Sequence, residues 1–192
     1  MSEDLFDCTG DVAVVTGGTG VLGGAMARGL ADAGAWVAIL GRREEKAREV
    51  AREIEEGGGK AMAAPADVLD REELEGARER VLDRWGRIDA LVHAAGGNVS
   101  GATVGPEEEW FNADGETLDD VVRLNLQGSF YASQVFGEPM ADQGSGSIVH
   151  ISSMAAQKPL TRVVGYSAAK AGVDNFTEWL AVELAHKYGE GL

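Results

Sequence analysis

Tyr166 and Lys170 stand four residues apart in the run Tyr166-Ser-Ala-Ala-Lys170. On a helix that spacing puts a phenol and an ammonium on one face, one turn apart. A free tyrosine, with a pKa of about 10, holds its proton too tightly for acid–base work near neutrality, and a fixed cation nearby favours the phenolate. Ser153 precedes Tyr166 by thirteen residues and follows the apolar run Ser147-Ile-Val-His-Ile151. That run reads as a strand delivering the serine to the carboxyl edge of a sheet, where three polar groups would converge on one carbonyl oxygen. Tyr-x-x-x-Lys also occurs by chance in many helices, so the weight of the pairing rests on the rest of the chain.

The elements that must position these groups alternate in type. Strand patterns cover Asp11 to Thr16, Ala35 to Leu40, Lys60 to Ala66, Ile88 to Ala94 and Ser147 to Ser152. Helix patterns cover Val21 to Ala33, Arg43 to Glu56, Asp70 to Trp85, Thr117 to Met140 and Gly165 to Tyr188. Gly34 is placed to end the first helix and Gly57, Gly58 and Gly59 the second. Asp70 with Glu73, and the run Thr117-Leu-Asp-Asp120, read as capping starts. The alternation predicts an α/β fold: a Rossmann-like, doubly wound parallel sheet in three layers, strand order 3-2-1-4-5, with ligands at the carboxyl ends of the strands. No internal repeat or linker interrupts it, so residues 1–192 read as one domain. The stretch from Gly96 to Glu116 has no clear period; long irregular loops in compact domains are usually functional, and this one is expected to face substrate.

The turn Thr16-Gly-Gly-Thr-Gly-Val-Leu-Gly23 lies between the first strand and the first helix. Gly17 permits a tight turn, Gly20 lets backbone approach a pyrophosphate, and Gly23 allows close helix packing. The phosphates would sit on the helix N-terminus, whose free N–H groups favour an anion. Thr19, Val21 and Leu22 complete this expected contact set. A ribose-reading acid is expected at the end of the second strand, but Gly41 stands there, and Arg42 beside it suits a 2′-phosphate. NADP is therefore expected over NAD, with NAD the alternative.

Composition narrows the classes of partner. A formal net charge of −15 argues against nucleic acid or an anionic membrane, because phosphate binding needs a basic face. No membrane span is present. The start MSEDLFDCTGD has neither a basic n-region nor an apolar h-region, which makes the cytoplasm the expected compartment. The lone Cys8 cannot form an internal disulfide. Only 5 of the 17 basic residues are lysine, and with the acid excess this suggests adaptation to high intracellular salt.

Taken in order, the glycine turn, Ala94-Ala-Gly96, Asn125, Ser153 and Tyr166-x-x-x-Lys170 resemble the short-chain dehydrogenase/reductase family over nearly the whole chain. The resemblance implies that Tyr166 is the general acid–base and that Lys170 lowers its pKa and holds the nicotinamide ribose. It implies that Ser153 bonds the substrate oxygen and that Asn125 holds a water in a proton relay. Asp67, with Val68, matches the adenine-contacting position, and Ala95 and Gly96 the strand-four end of the cofactor site. It further implies a homo-oligomer, dimer or tetramer, packed through the two long helices.

Three departures from the family pattern stand out. Val21 occupies the place of the middle glycine in Thr-Gly-x-x-x-Gly-x-Gly, with Gly20 one residue early. His93-Ala-Ala-Gly96 replaces Asn-Asn-Ala-Gly, and His93 reads as a satisfied core histidine; with His150 and His186 far from any matching cluster, no metal site is readable. Family members continue into further strands after the last helix, so the domain is expected to be incomplete at its C-terminus. The stretches GGNVSGAT and SSMAAQKPLTRVVGYSAAKAG look similar to the sugar-acid branch, the D-mannonate oxidoreductases that interconvert mannonate and fructuronate. Asn98 and Arg162 are then the candidate substrate contacts, Arg162 as a bidentate clamp on a carboxylate. A polyol or ketoacyl reductase with the same machinery, and a non-catalytic nucleotide-binding remnant, remain the alternatives.

Overall fold

A computed structural model of the chain describes residues 5–99, 101–158, 160–189 and 191–192. Five short strands, β1 (Val12–Thr16), β2 (Trp36–Ile39), β3 (Lys60–Ala63), β4 (Ala90–His93) and β5 (Ser147–His150), form one parallel sheet in the order β3-β2-β1-β4-β5. This is the order read from the sequence. Every residue of β1 is buried, and its side chains alternate between two cores. Val12 and Val14 join Leu40 and Leu91 in a core closed by Leu74, Ala77 and Val81 of α3 (Arg71–Trp85) and by Phe136 and Met140 of α5 (Gly128–Gln143). Ala13 and Val15 join Val37 and Ile39 in a second core closed by Ala27 and Ala31 of α1 (Val21–Asp32) and by Val50, Ala51 and Ile54 of α2 (Glu44–Glu56). Each face thus holds at least two helices, the three-layer arrangement that buries a parallel sheet on both sides.

Several element ends differ from the sequence reading, and three of the differences have a clear cause. The helix expected from Thr117 begins at Gly115 as α4 (Gly115–Val122), because the Asp114 carboxylate accepts from the N–H groups of Glu116 (3.4 Å) and Thr117 (3.0 Å). An acid three residues ahead of Thr117 is the stronger cap. At α3, Asp70 accepts from the Glu73 N–H at 3.0 Å as expected, but the Glu73 carboxylate does not return to Asp70; it accepts from the Asp67 N–H at 2.7 Å. Strand β3 stops at Ala63 rather than Ala66, ahead of Pro65. A proline biases the chain against continuing a ladder.

The long helix is also not uniform. Between α4 and α5 the residues Arg123–Gln127 form a π turn. Inside it the Asn125 side-chain amide donates to the Val121 carbonyl at 2.8 Å, the acceptor that the Asn125 N–H would take in a regular α-helix. Insertion of a side chain into the i to i−4 ladder is a recognised cause of such widening. The chain then crosses β5, makes a short turn, α6 (Met154–Gln157), and runs into α7 (Val164–Tyr188), which packs on α4 and α6. No helix among the described residues is long and apolar enough to cross a membrane.

Candidate active site

At the carboxyl end of β1 the backbone turns through Gly17 with φ +66°. A Cβ there would lie 2.7 Å from the Ala95 nitrogen, and one on Gly23 would lie 2.3 Å from the Gly17 carbonyl oxygen. Only glycine allows the first turn of α1 to sit this close beneath the loop. Gly20 is the N-cap of α1 and offers no side chain; the first turn carries no acid, and Val21 and Leu22 are exposed. The N-terminal N–H groups of α1 therefore meet no side-chain cap, as an anion seat requires.

This turn forms one wall of a cleft of about 860 Å³. All of Gly17, Thr19, Gly20, Val21, Leu22 and Gly23 line it; so do Arg42, Asp67, Val68, Ala95 and Gly96. Five further residues, Gly41, Arg43, Ala66, Ala94 and Leu124, share the lining without having been expected as cofactor contacts. Arg43 could have been found as the second cation of a pair; Leu124, on the π turn, carries no sequence signal. Gly41 has a spatial reason to be glycine. A Cβ there would meet Oγ1 and Cγ2 of Thr19 at 2.7 and 2.9 Å. Asp67 accepts from the Leu69 N–H at 3.0 Å through Oδ1, which orients its carboxylate at the cleft wall.

A wider groove of about 1050 Å³ runs between α5 and α7, lined in part by Phe130, Phe176 and Trp179. It holds none of the expected site residues. Size alone does not mark the chemistry here.

The second half of the site is built by α7, β5 and the π turn. Tyr166 lies in the first turn of α7, half-buried, and the Lys170 Nζ sits 5.8 Å from the centroid of its ring. Lys170 is buried and donates to the Ile151 carbonyl at 2.6 Å. Burial pushes its proton affinity down from the ordinary lysine value, and the Asp174 carboxylate partly offsets this. Gly96 lies at the junction: a Cβ on it would be 2.6 Å from Asn125 Oδ1 and 3.4 Å from Lys170 Nζ. The nucleotide cleft, the amide and the ammonium thus meet at one glycine.

Ser153 is the N-cap of α6, its Oγ accepting from the Ala155 N–H at 3.1 Å. Because α6 packs on α7, the hydroxyl is held at the same end of the sheet as Tyr166, with its own proton free to donate. Asn125 is fully buried, and both of its amide protons are engaged, by the Gly97 and Val121 carbonyls, while Oδ1 accepts from the Gly97 N–H at 2.9 Å. Its side chain is a clamp on the loop after β4, so only one Oδ1 lone pair is left for the relay water expected of it.

The two candidate substrate residues lie on loops that touch. Asn98 is exposed and donates to the Thr103 hydroxyl at 2.7 Å. Arg162 is exposed, has φ +75°, and through its carbonyl accepts from the Val104 N–H at 2.9 Å. The long loop after β4 is thereby tied to the segment just before Tyr166.

His93 is the core histidine expected, satisfied at one nitrogen only. It is buried, with Nδ1 2.9 Å from Thr16 Oγ1, but its Nε2 has no hydrogen-bond partner. Beside it His150 is engaged at both nitrogens, by Ser133 (2.8 Å) and Thr177 (2.9 Å). Burial lowers His93 to about 3 and His150 to about 4, with the Lys170 charge acting in the same direction on both.

A family model described as short chain dehydrogenase matches residues 11–188. The chain belongs to the short-chain dehydrogenases. Similar to it is the uncharacterised oxidoreductase UxuB of Bacillus subtilis, 46% identical over 92% of this chain and 66% of that protein. D-threitol dehydrogenase of Mycolicibacterium smegmatis is 34% identical over 95% of this chain and 68% of its own. Among solved structures, a provisionally named D-mannonate oxidoreductase of Haemophilus influenzae with bound NAD superposes with a TM-score of 0.89 at 37% identity, covering 94% of this chain and 68% of that one. The chain therefore spans about two thirds of the length of these short-chain dehydrogenases.

Proposed function

We propose that this chain forms the cofactor-binding and proton-transferring part of an NAD(P)-dependent oxidoreductase acting on a carbonyl or alcohol, with a sugar acid of the mannonate/fructuronate type as substrate. The observation that carries the reading is that Asn125 and Lys170 meet at Gly96, a residue of the cleft that begins on the glycine turn, and that the same Lys170 lies beside the Tyr166 ring. The turn fits a dinucleotide, since it is a close-packed backbone turn in which a Cβ at Gly17 or Gly23 would strike neighbouring main chain, and α1 brings no side-chain cap of its own.

When bound, the nicotinamide gives or takes the hydride. The chain manages the proton. Tyr166 protonates the substrate oxygen as a carbonyl is reduced and takes the proton back in the reverse direction. Ser153 donates to the same oxygen and orients it. Lys170, fixed on the Ile151 carbonyl, places a positive charge beside the phenol. Asn125 holds the loop carrying Gly96 and Gly97 so that cofactor and ammonium share that wall. Arg162 and Asn98 are the substrate contacts, Arg162 facing the acid group.

Replacing Tyr166 with phenylalanine tests the core of the reading: turnover of mannonate or fructuronate should fall by about 10²- to 10⁴-fold with the cofactor dissociation constant unchanged. Retained turnover sinks it, and cofactor binding with no turnover in the parent chain favours a nucleotide-binding remnant. If Arg162→Ala leaves the Michaelis constant for a sugar acid untouched, the clamp is ruled out. A polyol substrate is the second reading, favoured by the similarity to D-threitol dehydrogenase.

For the cofactor, Arg42 and Arg43 on the cleft wall support NADP. NAD is the competing reading, favoured by the NAD in the Haemophilus structure. Arg42→Ala should erase a preference for NADPH over NADH in direct titration, and an unchanged ratio defeats the NADP assignment. We also infer a cytoplasmic homo-oligomer joined through α5 and α7, where Trp179, Val182 and Tyr188 are exposed. A monomer by sedimentation at micromolar concentration contradicts the oligomer.

A further inference from the structure

Two buried polar atoms among the described residues have no partner, His93 Nε2 and Ser152 Oγ. They belong to adjacent strand ends. His93 is paired in register with His150, the Ile151 N–H donates to the His93 carbonyl at 3.0 Å, and Ser152 follows directly. A buried polar atom without a partner has given up its bonds to water for nothing in return, and His93 is only 1% exposed. Neighbouring protein groups do not relieve them. His150, whose ring lies 6.0 Å away, is engaged at both nitrogens.

The tautomer of His93 follows from its other nitrogen. Thr16 Oγ1 accepts the Ala95 N–H at 3.2 Å and sits 2.9 Å from His93 Nδ1. Among the described residues the Thr16 hydroxyl proton has no other acceptor than Nδ1, which assigns Nδ1 as the unprotonated nitrogen. Burial keeps the ring neutral near pH 7. The remaining proton is then on Nε2, a buried N–H donor on the strand end next to the one that carries the Ser152 hydroxyl. Paired orphan groups of this kind are what internal waters bind.

We propose that His93 Nε2–H and Ser152 Oγ hold one ordered internal water at the carboxyl ends of β4 and β5, and that His93 is thereby a positioning residue for Lys170. The link is a single peptide unit. The carbonyl that receives the Lys170 ammonium is that of Ile151, bonded to the nitrogen of Ser152. Fixing the Ser152 side chain fixes the acceptor that aims the ammonium toward Tyr166 and Gly96. The positioning role rests on the acid–base reading of Tyr166 and Lys170; the water site does not.

The test uses the 192-residue chain labelled with ¹⁵N-histidine. Long-range proton–nitrogen correlations at pH 7 should show His93 as the Nε2–H tautomer, and that proton should exchange magnetisation with a bound water. In Ser152→Ala the tautomer should persist and the water contact weaken. A proton on Nδ1, or an Nε2–H without water contact in the parent chain, overturns the site. For the positioning role, His93→Leu should move the pH midpoint of turnover while the cofactor dissociation constant stays put, and His93→Gln, which restores an N–H donor, should return it. An unmoved midpoint in His93→Leu overturns the role; if that variant does not fold, the same midpoint read in Ser152→Ala decides. A chain with the water contact but no turnover leaves the site standing and removes the active-site reading beneath the role.

Discussion

Asn125 and Gly97 are joined twice: Nδ2 donates to the Gly97 carbonyl at 2.7 Å and Oδ1 accepts the Gly97 N–H at 2.9 Å. A third bond, to the Val121 carbonyl, ties the same side chain to its own helix. Asn125→Ala should therefore lower stability by about 1–3 kcal/mol and loosen the loop after β4. Urea unfolding measures the first effect, and a loss of amide-exchange protection at Gly97 the second. Asn125→Asp should not rescue, because it supplies the acceptor and neither donor.

Acid should destabilise the fold through its two buried histidines. His93 titrates at about 3 and His150 at about 4 in the folded chain, against an ordinary value of 6.5. Between those limits the unfolded chain binds more protons than the folded one. Stability is then fully present above pH about 6.5 and declines as the pH falls, by up to about 1.4 kcal/mol per pH unit for each histidine. Chemical denaturation midpoints from pH 7.5 to 5 check this, and the decline should shrink by about half in His150→Asn.

Substitution at the glycine turn should be selective. In Gly23→Ala the new methyl meets the Gly17 carbonyl oxygen and carbon, at 2.3 and 2.7 Å. These are backbone atoms that cannot swing aside, so the turn itself must move. Dinucleotide affinity should fall at least about tenfold, roughly 1.4 kcal/mol, with helix content unchanged by circular dichroism. Energy transfer from the tryptophans to a reduced nicotinamide reads the affinity.

Salt provides a fourth check. With a formal net charge of −15, self-repulsion opposes the compact state and is screened by added ions. The melting temperature should rise between dilute buffer and molar KCl. A protein equally stable in both would show that its acids are compensated within the fold.

Much of the architecture is legible in the sequence, for a physical reason. Strands buried on both faces must be runs such as Val12 to Val15, and the helices between them carry one apolar stripe, so period and strand order follow. The glycine turn and Tyr166 with Lys170 were readable because both depend on short spacings. The π turn was not, since it arises from Asn125 reaching a carbonyl of its own helix while gripping a loop 28 residues away in sequence. The start of α4 was missed because Asp114 is one acid among several in that loop. For His93 the strand pattern reports correctly that the side chain is inside, and says nothing of which of its two nitrogens finds a partner.

The contact between Gly41 and Thr19 constrains how cofactor choice could evolve. Both γ atoms of Thr19 lie within 3 Å of the place a Cβ would take on residue 41, so turning Thr19 exchanges one clash for another. An acid introduced at 41 to read a free ribose would be harmful until position 19 had shrunk. A change of cofactor is thus a two-step path with a fixed order, in which a substitution that removes the γ atoms, such as Thr19→Gly, must come first.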